Sequence, residues 1–455
     1  MGVVTERERM FRKYDAMGSL QTYLMFLVLG WIFVFSSCRT DRNTLSIKKQ
    51  EKVILGAEVF LESRLDLIRG KKVGFITNPS GVDTHLQSLI MRFQAHSGIE
   101  LVALYGSEHG VRGNAQAGEH VSFYVDEKFG IPVFSLYGQS QKPQAGMLKD
   151  IDESMRSFDT MITGKIPEKE MLKDLDVMIF DIQDVGTRIY VYIATMAYCM
   201  QACAENEIGF IVLDRPNPIN GVDMEGPILE YPEYSSFVGL YPIPVRHGMT
   251  VGELAMLFNE EFLPKKAELT VIPMRGWKRE MWFDETGLPW IIPSPNMPTL
   301  DTATVYPGQV FLEGTNISEG RGTTRPFELF GAPWIDGFLL AEKLNKLKIP
   351  GVIFREAWFT PTFSKYESQL CGGAQIHFTE RDKFNSFETS LHVIKMIKDL
   401  YPDRFSFHED YFDSIMGTSK IRRGIEQGRE VKEIIDSYAQ DLTQFSEMRK
   451  AYLLY

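Results

Sequence analysis

The segment YGSEHGVRGNAQAGEH, residues 105–120, brings Glu108, His109, Arg112, Glu119, His120 and four glycines into sixteen positions. Glycine lets a backbone turn sharply and approach a ligand, while glutamate and histidine exchange protons or bind metal near neutral pH. The segment reads as the centre of an active site. Glu108 is the candidate general acid, because a glutamate in a partly apolar pocket keeps its proton to higher pH and can give it to a leaving group. His109 either tunes that proton or hydrogen-bonds loop backbone, and Glu119 and His120 are further candidates for substrate contact.

Other polar clusters follow short apolar runs in the same way. Asn78 and Ser80 follow one run, and FDIQDVGTR (180–188) places Asp181, Asp184, Thr187 and Arg188 after another. Asp184 or Thr187 suits a helix cap, which leaves Asp181 for the site. DRPNP (214–218) contributes Asp214, Arg215 and Asn217, which either brace a loop or hold sugar hydroxyls. SEGRGTTRPFE (318–328) adds Glu319, Arg321 and Arg325, whose guanidinium forks match a carboxylate. His247 in VRHGMTVGE precedes a helical pattern. The catalytic set is then Glu108 and His109, with Asp181 or Glu319 as a second carboxylate. Substrate contacts fall to Asn78, Arg112, Asp184, Arg188, Asp214, Arg215, Asn217, His247, Arg321 and Arg325. Tyr105, Tyr190, Trp290 and Trp334 read as core rather than as sugar platforms.

The elements that position these clusters are legible as short buried runs. Val73–Thr77, Leu101–Tyr105, Pro132–Tyr137, Val177–Asp181 and Phe210–Leu213 read as strands, separated by stretches of helical periodicity such as 192–205. Strands alternating with helices predict an α/β fold with a Rossmann-like parallel sheet, whose ligands sit outside the carboxyl ends of the strands. No G-x-G-x-x-G or G-K-[ST] stands where a nucleotide would need it, so no such cofactor is implied. Thr250–Glu261 and Asp336–Leu347 read as helices, Val352–Trp358 and Ala374–Phe378 as strands, and Val431–Tyr455 as one closing helix. These predict a catalytic domain over 52–299 and a smaller C-terminal α/β subdomain over 300–455.

The net charge of -11 argues against a nucleic-acid partner, because phosphate binding draws on lysine and arginine. Four cysteines provide no disulfide framework, and Cys199 and Cys203 share a helical face as core residues. Residues 19–37 carry no charge and follow a segment rich in basic residues, the pattern of a signal peptide. Ser36 and Ser37 before Cys38 resemble a lipobox, so residues 1–38 read as a signal with a lipidated Cys38 and 39–51 as a linker. A retained membrane anchor and cleavage without lipid are the alternatives. The lipoprotein reading implies an exported protein at the outer membrane or in the periplasm of a bacterium. No H-E-x-x-H or G-x-S-x-G is present, so neither a metal site nor a serine nucleophile is expected.

The blocks YGSEHGVRG, DIQDVGTRIYVY, VLDRPNPI, LYPIPVRHGMTVGELA, SPNMPTL and EGTNISEGRGTTRPFE, in this order, resemble the exo-β-N-acetylmuramidase family of the NamZ type over residues 52–455. The resemblance implies release of β-linked N-acetylmuramic acid from the non-reducing ends of peptidoglycan fragments ending in MurNAc-GlcNAc. It also implies a Rossmann-like domain, a smaller C-terminal domain and a cleft between them. Glu108 matches the glutamate of the family's G-S-E-H-G motif, the position the resemblance offers for catalysis. The lactyl carboxylate of such a sugar gives Arg188, Arg321 or Arg325 a physical task. A muropeptide-binding surface protein without turnover, and a metal-dependent hydrolase using Glu108, His109, Asp181 and Asp184, remain as readings from other classes.

Overall fold

A computed structural model of the chain describes residues 52–116, 121–137 and 169–455. Cys38 and the leader, Glu119 and His120 lie outside the described residues. The predicted runs are strands: β1 (Lys72–Thr77), β2 (Glu100–Gly106), β4 (Pro132–Ser135), β5 (Val177–Asp181) and β6 (Gly209–Leu213). Two unpredicted strands complete their sheet, β3 (Tyr124–Val125) and β9 (Leu269–Ile272), in the order β3-β4-β2-β1-β5-β6-β9. All neighbours are parallel except β3, which pairs antiparallel with β4 at the edge. The chain moves outward from β1 through β2 to β4 and returns to place β5 on the other side of β1, so the strand order reverses there. β5 is buried at all five positions, which is why its sequence VMIFD is a continuous apolar run ending in one acid.

Among the described residues before 300 the α-helices are α1 (Gly56–Ser63), α2 (Leu89–Ala95), α3 (Tyr192–Glu205) and α4 (Val251–Glu261). α3 is apolar nearly all round and buries Cys199 and Cys203 as free thiols in the core. α4 begins where the sequence TVGE predicts: the Thr250 side chain accepts from Glu253 N, and the Glu253 carboxylate accepts from Thr250 N. Neither Asp184 nor Thr187 caps α3, whose first residue follows Val191. Asp184 instead accepts the Gly186 amide at 2.7 Å, a turn bond inside the loop.

A two-stranded ribbon, β7 (Glu225–Ile228) with β8 (Pro244–Arg246), stands apart from the large sheet. After residue 300 the sheet is three-stranded and antiparallel, β10 (Leu329–Ala332), β12 (Cys371–Phe378) and β11 (Val352–Phe359) in spatial order. The helices α5 (Leu300–Gln309), α6 (Gly337–Lys346), α7 (Ser386–Leu400) and α8 (Glu409–Met416) accompany it, and α6 packs on β11 and β12. α9 (Lys420–Glu426) precedes the expected closing helix over Val431–Tyr455, which is broken into α10 (Val431–Asp436) and α11 (Ala439–Arg449). The interruption between α10 and α11 coincides with Tyr438, which turns inward and packs edge-on against Phe387 at 5.9 Å. One hydrophobic cluster runs from Met178 and Phe180 through Tyr306 and Phe311 to Phe387 and Phe412, so both sheets rest on a shared core. Among the described residues no helix is long and apolar enough to cross a membrane.

Candidate active site

The turn after β2 sets Glu108. Ser107 accepts from the Gly110 amide at 2.9 Å, and His109 is held at φ 71°, a left-handed conformation that a non-glycine residue adopts only under constraint. The constraint is visible: His109 is buried, and its Nδ1 lies 2.9 Å from the Ala115 carbonyl. Nδ1 is therefore the donor, and in the neutral ring Nε2 presents a lone pair 4.0 Å from Glu108 Oε2. Of the two sequence readings for His109, the backbone bond is present, and it aims the other nitrogen at the acid. Gly113, at φ 66°, lets the same loop press on Pro79 beyond β1; a Cβ there would stand 2.4 Å from the proline ring.

Glu108 opens on a cavity of about 710 Å3, counting its mouth, within the range of small-molecule pockets. Its walls come from both regions of the chain. Glu108, His109, Tyr137, Tyr190, Tyr192, Ser294 and Asn296 lie before residue 300, and Tyr306, Glu313, Arg321, Phe327 and Tyr411 after it. The Glu108 side chain retains 16% exposure, enough to meet a ligand yet largely shielded from water. Burial, then Glu108 through its charge and hydrogen bonding, pushes the Tyr137 hydroxyl up. Burial likewise pushes Tyr190, Tyr192, Tyr306 and Tyr411 above the ordinary phenol range. Five tyrosines thus remain protonated around the cavity, a lining of neutral O–H groups suited to sugar hydroxyls and amides. Sequence reading took Tyr190 as core; it does pack edge-on against Tyr192 and Tyr306, and it lines the cavity as well.

Most of the other residues proposed from sequence are not among those lining this cavity. Asp181 is fully buried and clamped by Arg215, with Nε at 2.6 Å from one oxygen and Nη2 at 2.8 Å from the other. Burial raises the Asp181 pKa and Arg215 pulls it back. Asn78 accepts from Ser80 and donates to the Pro293 carbonyl, which also receives the Tyr192 hydroxyl, so it braces the cavity wall from behind. Asn217 donates to the Met249 carbonyl. Asp214 accepts from Thr250, Gly252 and the Tyr455 hydroxyl, and burial with the charge of Glu253 pushes its pKa up to about 7. His247 is fully buried, takes the Met249 amide on Nδ1 and turns Nε2 to Asp184 at 3.3 Å. These side chains hold the strand-end loops in shape.

The arginines divide similarly. Arg188 is buried among backbone carbonyls of Pro227, Ile243, Ile415 and Met416, at 2.7–3.1 Å, and burial lowers its pKa to about 9. Arg112 pairs with Asp126 and is half-exposed. Arg325 pairs with Glu328 at 3.1 Å, away from the cavity lining. Arg321 alone of the three offered for a lactyl carboxylate lines the cavity, where it already donates to Glu313 at 2.7 Å and lies 3.4 Å from Glu319. Glu319 is behind it, buried, with Lys365 at 3.1 Å on its other oxygen. Sequence reading passed over Glu313 because it stands in VFLEGTN, a mostly apolar stretch with no other ionisable group. The four ligands that a metal-dependent hydrolase would recruit are not gathered; among the described residues no group of three His, Cys, Asp or Glu is placed to hold a metal.

Profiles described as the N-terminal domain of exo-β-N-acetylmuramidase NamZ match residues 73–159 and 154–301, and the corresponding C-terminal domain matches 304–455. The peptidoglycan β-N-acetylmuramidase NamZ of Bacillus subtilis strain 168 is 51% identical over 430 residues, covering 94% of this chain and 97% of that protein. Crystal structures of two DUF1343 family proteins from Bacteroides fragilis superpose with TM-scores of 0.77 and 0.66, at 38% and 31% identity. Each covers 89% of this chain and 99% of its own. With both domains matched and Glu108 set at a cavity that both regions line, the chain belongs to the exo-β-N-acetylmuramidase NamZ family.

Proposed function

We propose that this protein is an exo-acting glycosidase that releases β-1,4-linked N-acetylmuramic acid from the non-reducing ends of peptidoglycan fragments, with Glu108 as the general acid. The observation that carries the reading is Glu108 itself, shielded, flanked by His109 and Tyr137, and opening on a cavity of neutral hydroxyl donors. The peptidoglycan β-N-acetylmuramidase activity of the Bacillus relative supports it. Fragments ending in MurNAc-GlcNAc are expected to yield free N-acetylmuramic acid by mass spectrometry, whereas fragments whose terminal sugar is N-acetylglucosamine are expected to stay intact. Oligosaccharides cut internally, or terminal N-acetylglucosamine released, would contradict exo-muramidase action.

The protein acts, in this proposal, outside the cytoplasm. Support comes from the uncharged run of residues 19–37 and from Ser36-Ser37-Cys38, which fit a signal peptide ending in a lipidated cysteine. A lipid chain on Cys38 would hold the enzyme at the membrane beside its wall substrate. Labelled palmitate is expected to enter the full-length chain and not its Cys38→Ser variant; equal labelling of both would remove the anchor.

A further inference from the structure

Two carboxylates line the cavity among the described residues, Glu108 from the first region of the chain and Glu313 from the second. Glu313 is held by a converging set of donors. Its Oε1 accepts from Arg321 Nε at 3.1 Å and Nη2 at 2.7 Å, and its Oε2 accepts from the Tyr411 hydroxyl at 3.0 Å. Lys365 fixes the turn beneath it by donating to the backbone carbonyls of Leu312, Glu313 and Ile317. Donors thus hold both carboxylate oxygens of Glu313 in place. The buried hydroxyl of Tyr306 is pushed up by burial and then by Glu313, and more weakly by Glu108, so the two carboxylates act on one shared group. Asp181 and Glu319, the two partners read from sequence, are each closed off by cations and do not line the cavity.

We propose that Glu313 is the second carboxylate of the reaction, an anion facing the anomeric carbon that stabilises the positive charge developing there while Glu108 moves the proton. The proposal rests on the glycosidase reading above. In the first step the bond from the anomeric carbon to the leaving oxygen breaks, its electron pair stays on that oxygen, and the oxygen takes the proton of Glu108. A water oxygen then bonds to the anomeric carbon, and its surplus proton passes to the Glu108 carboxylate, restoring the acid. Glu313 gains and loses no proton, consistent with oxygens already occupied by donors. The transition state of glycoside cleavage is oxocarbenium-like, which gives a fixed anion its work.

The test uses the mature protein, a chromogenic β-N-acetylmuramic acid glycoside, and thermal melting alongside kinetics. Glu313→Gln keeps the side-chain shape and is expected to lower kcat by about 10²–10³-fold with KM little changed and a melting temperature lowered no more than by Glu319→Gln. Glu313→Ala is expected to regain part of its turnover on adding azide or formate, small anions that can occupy the vacated space. Glu319→Gln, which unpairs Lys365 behind the wall, is expected to lower the melting temperature with a much smaller loss of kcat. Unchanged kcat in Glu313→Gln would overturn the proposal. So would equal losses of kcat and melting temperature in Glu313→Gln and Glu319→Gln with no anion rescue, because the cluster would then be a structural brace. Absence of release by the wild type would instead strike the glycosidase reading itself.

Discussion

Glu108→Gln is expected to lower turnover of the natural β-1,4 linkage by about 10²–10⁴-fold, the usual contribution of a positioned general acid. Glutamine fills the same space beside His109 and Tyr137 but has no acidic proton to give. The loss should depend on the leaving group. An alcohol of the sugar ring needs protonation to depart, whereas a nitrophenolate leaves nearly unaided, so the variant should be far more impaired on MurNAc-GlcNAc than on a nitrophenyl glycoside. Steady-state kinetics on the two substrates measure this. Equal impairment on both would mean that Glu108 does something other than protonate the leaving oxygen.

The largest expected loss of stability falls on Arg188. Its guanidinium is fully buried, pairs with no carboxylate among the described residues, and joins four backbone carbonyls from three places, Pro227 in β7, Ile243 just before β8, and Ile415 and Met416 at the end of α8. Arg188→Ala removes the guanidinium donors from those carbonyls and leaves a cavity among them, and is expected to cost about 3–5 kcal/mol, comparable to other losses of a buried charged partner. Arg188→Lys should recover little, because one ammonium cannot reproduce a planar fork reaching four acceptors. Denaturant unfolding monitored by tryptophan fluorescence decides it; a change under about 1 kcal/mol in the alanine variant would show that the carbonyls find other partners.

The same residue shows where sequence reasoning stops. Arg188 follows a strand-like run beside Asp181 and Asp184, and nothing in FDIQDVGTR says whether its guanidinium faces a ligand or backbone. That depends on Pro227 and Met416, respectively 39 and 228 residues away in sequence, or on contacts that no local pattern encodes. The strands of the parallel sheet were legible because a strand buried on both faces must be largely apolar, as Val73–Ile76 of β1 and Val177–Phe180 of β5 are. β9 was not, since LTVI is short, mostly half-buried and lies at the sheet edge. α4 could be read from Thr250 and Glu253, whose capping box is a local signal. α7 carries a similar one in Asn385 and Glu388, where Asn385 accepts the Glu388 amide at 2.8 Å, and it went unread.

At the site, the loop density of acid, imidazole and glycine singled out Glu108 as the candidate, and the family resemblance pointed to the same residue. Glu313 had no such density around it; an isolated glutamate in an apolar stretch is itself a signal, because burying it requires partners such as Arg321 and Tyr411. The tyrosines of the cavity wall were equally hidden. Tyr192 and Tyr306 have the spacing of core residues, and they do pack in the core, with only their hydroxyl ends turned to a polar setting.

The central claim is that the cavity beside Glu108 releases a terminal muramic acid. Its most direct test compares two chromogenic substrates, the β-glycosides of N-acetylmuramic acid and of N-acetylglucosamine, which differ only in the lactyl ether. The account predicts release from the muramic compound and little from the other. Equal release from both, or release from neither, would contradict it.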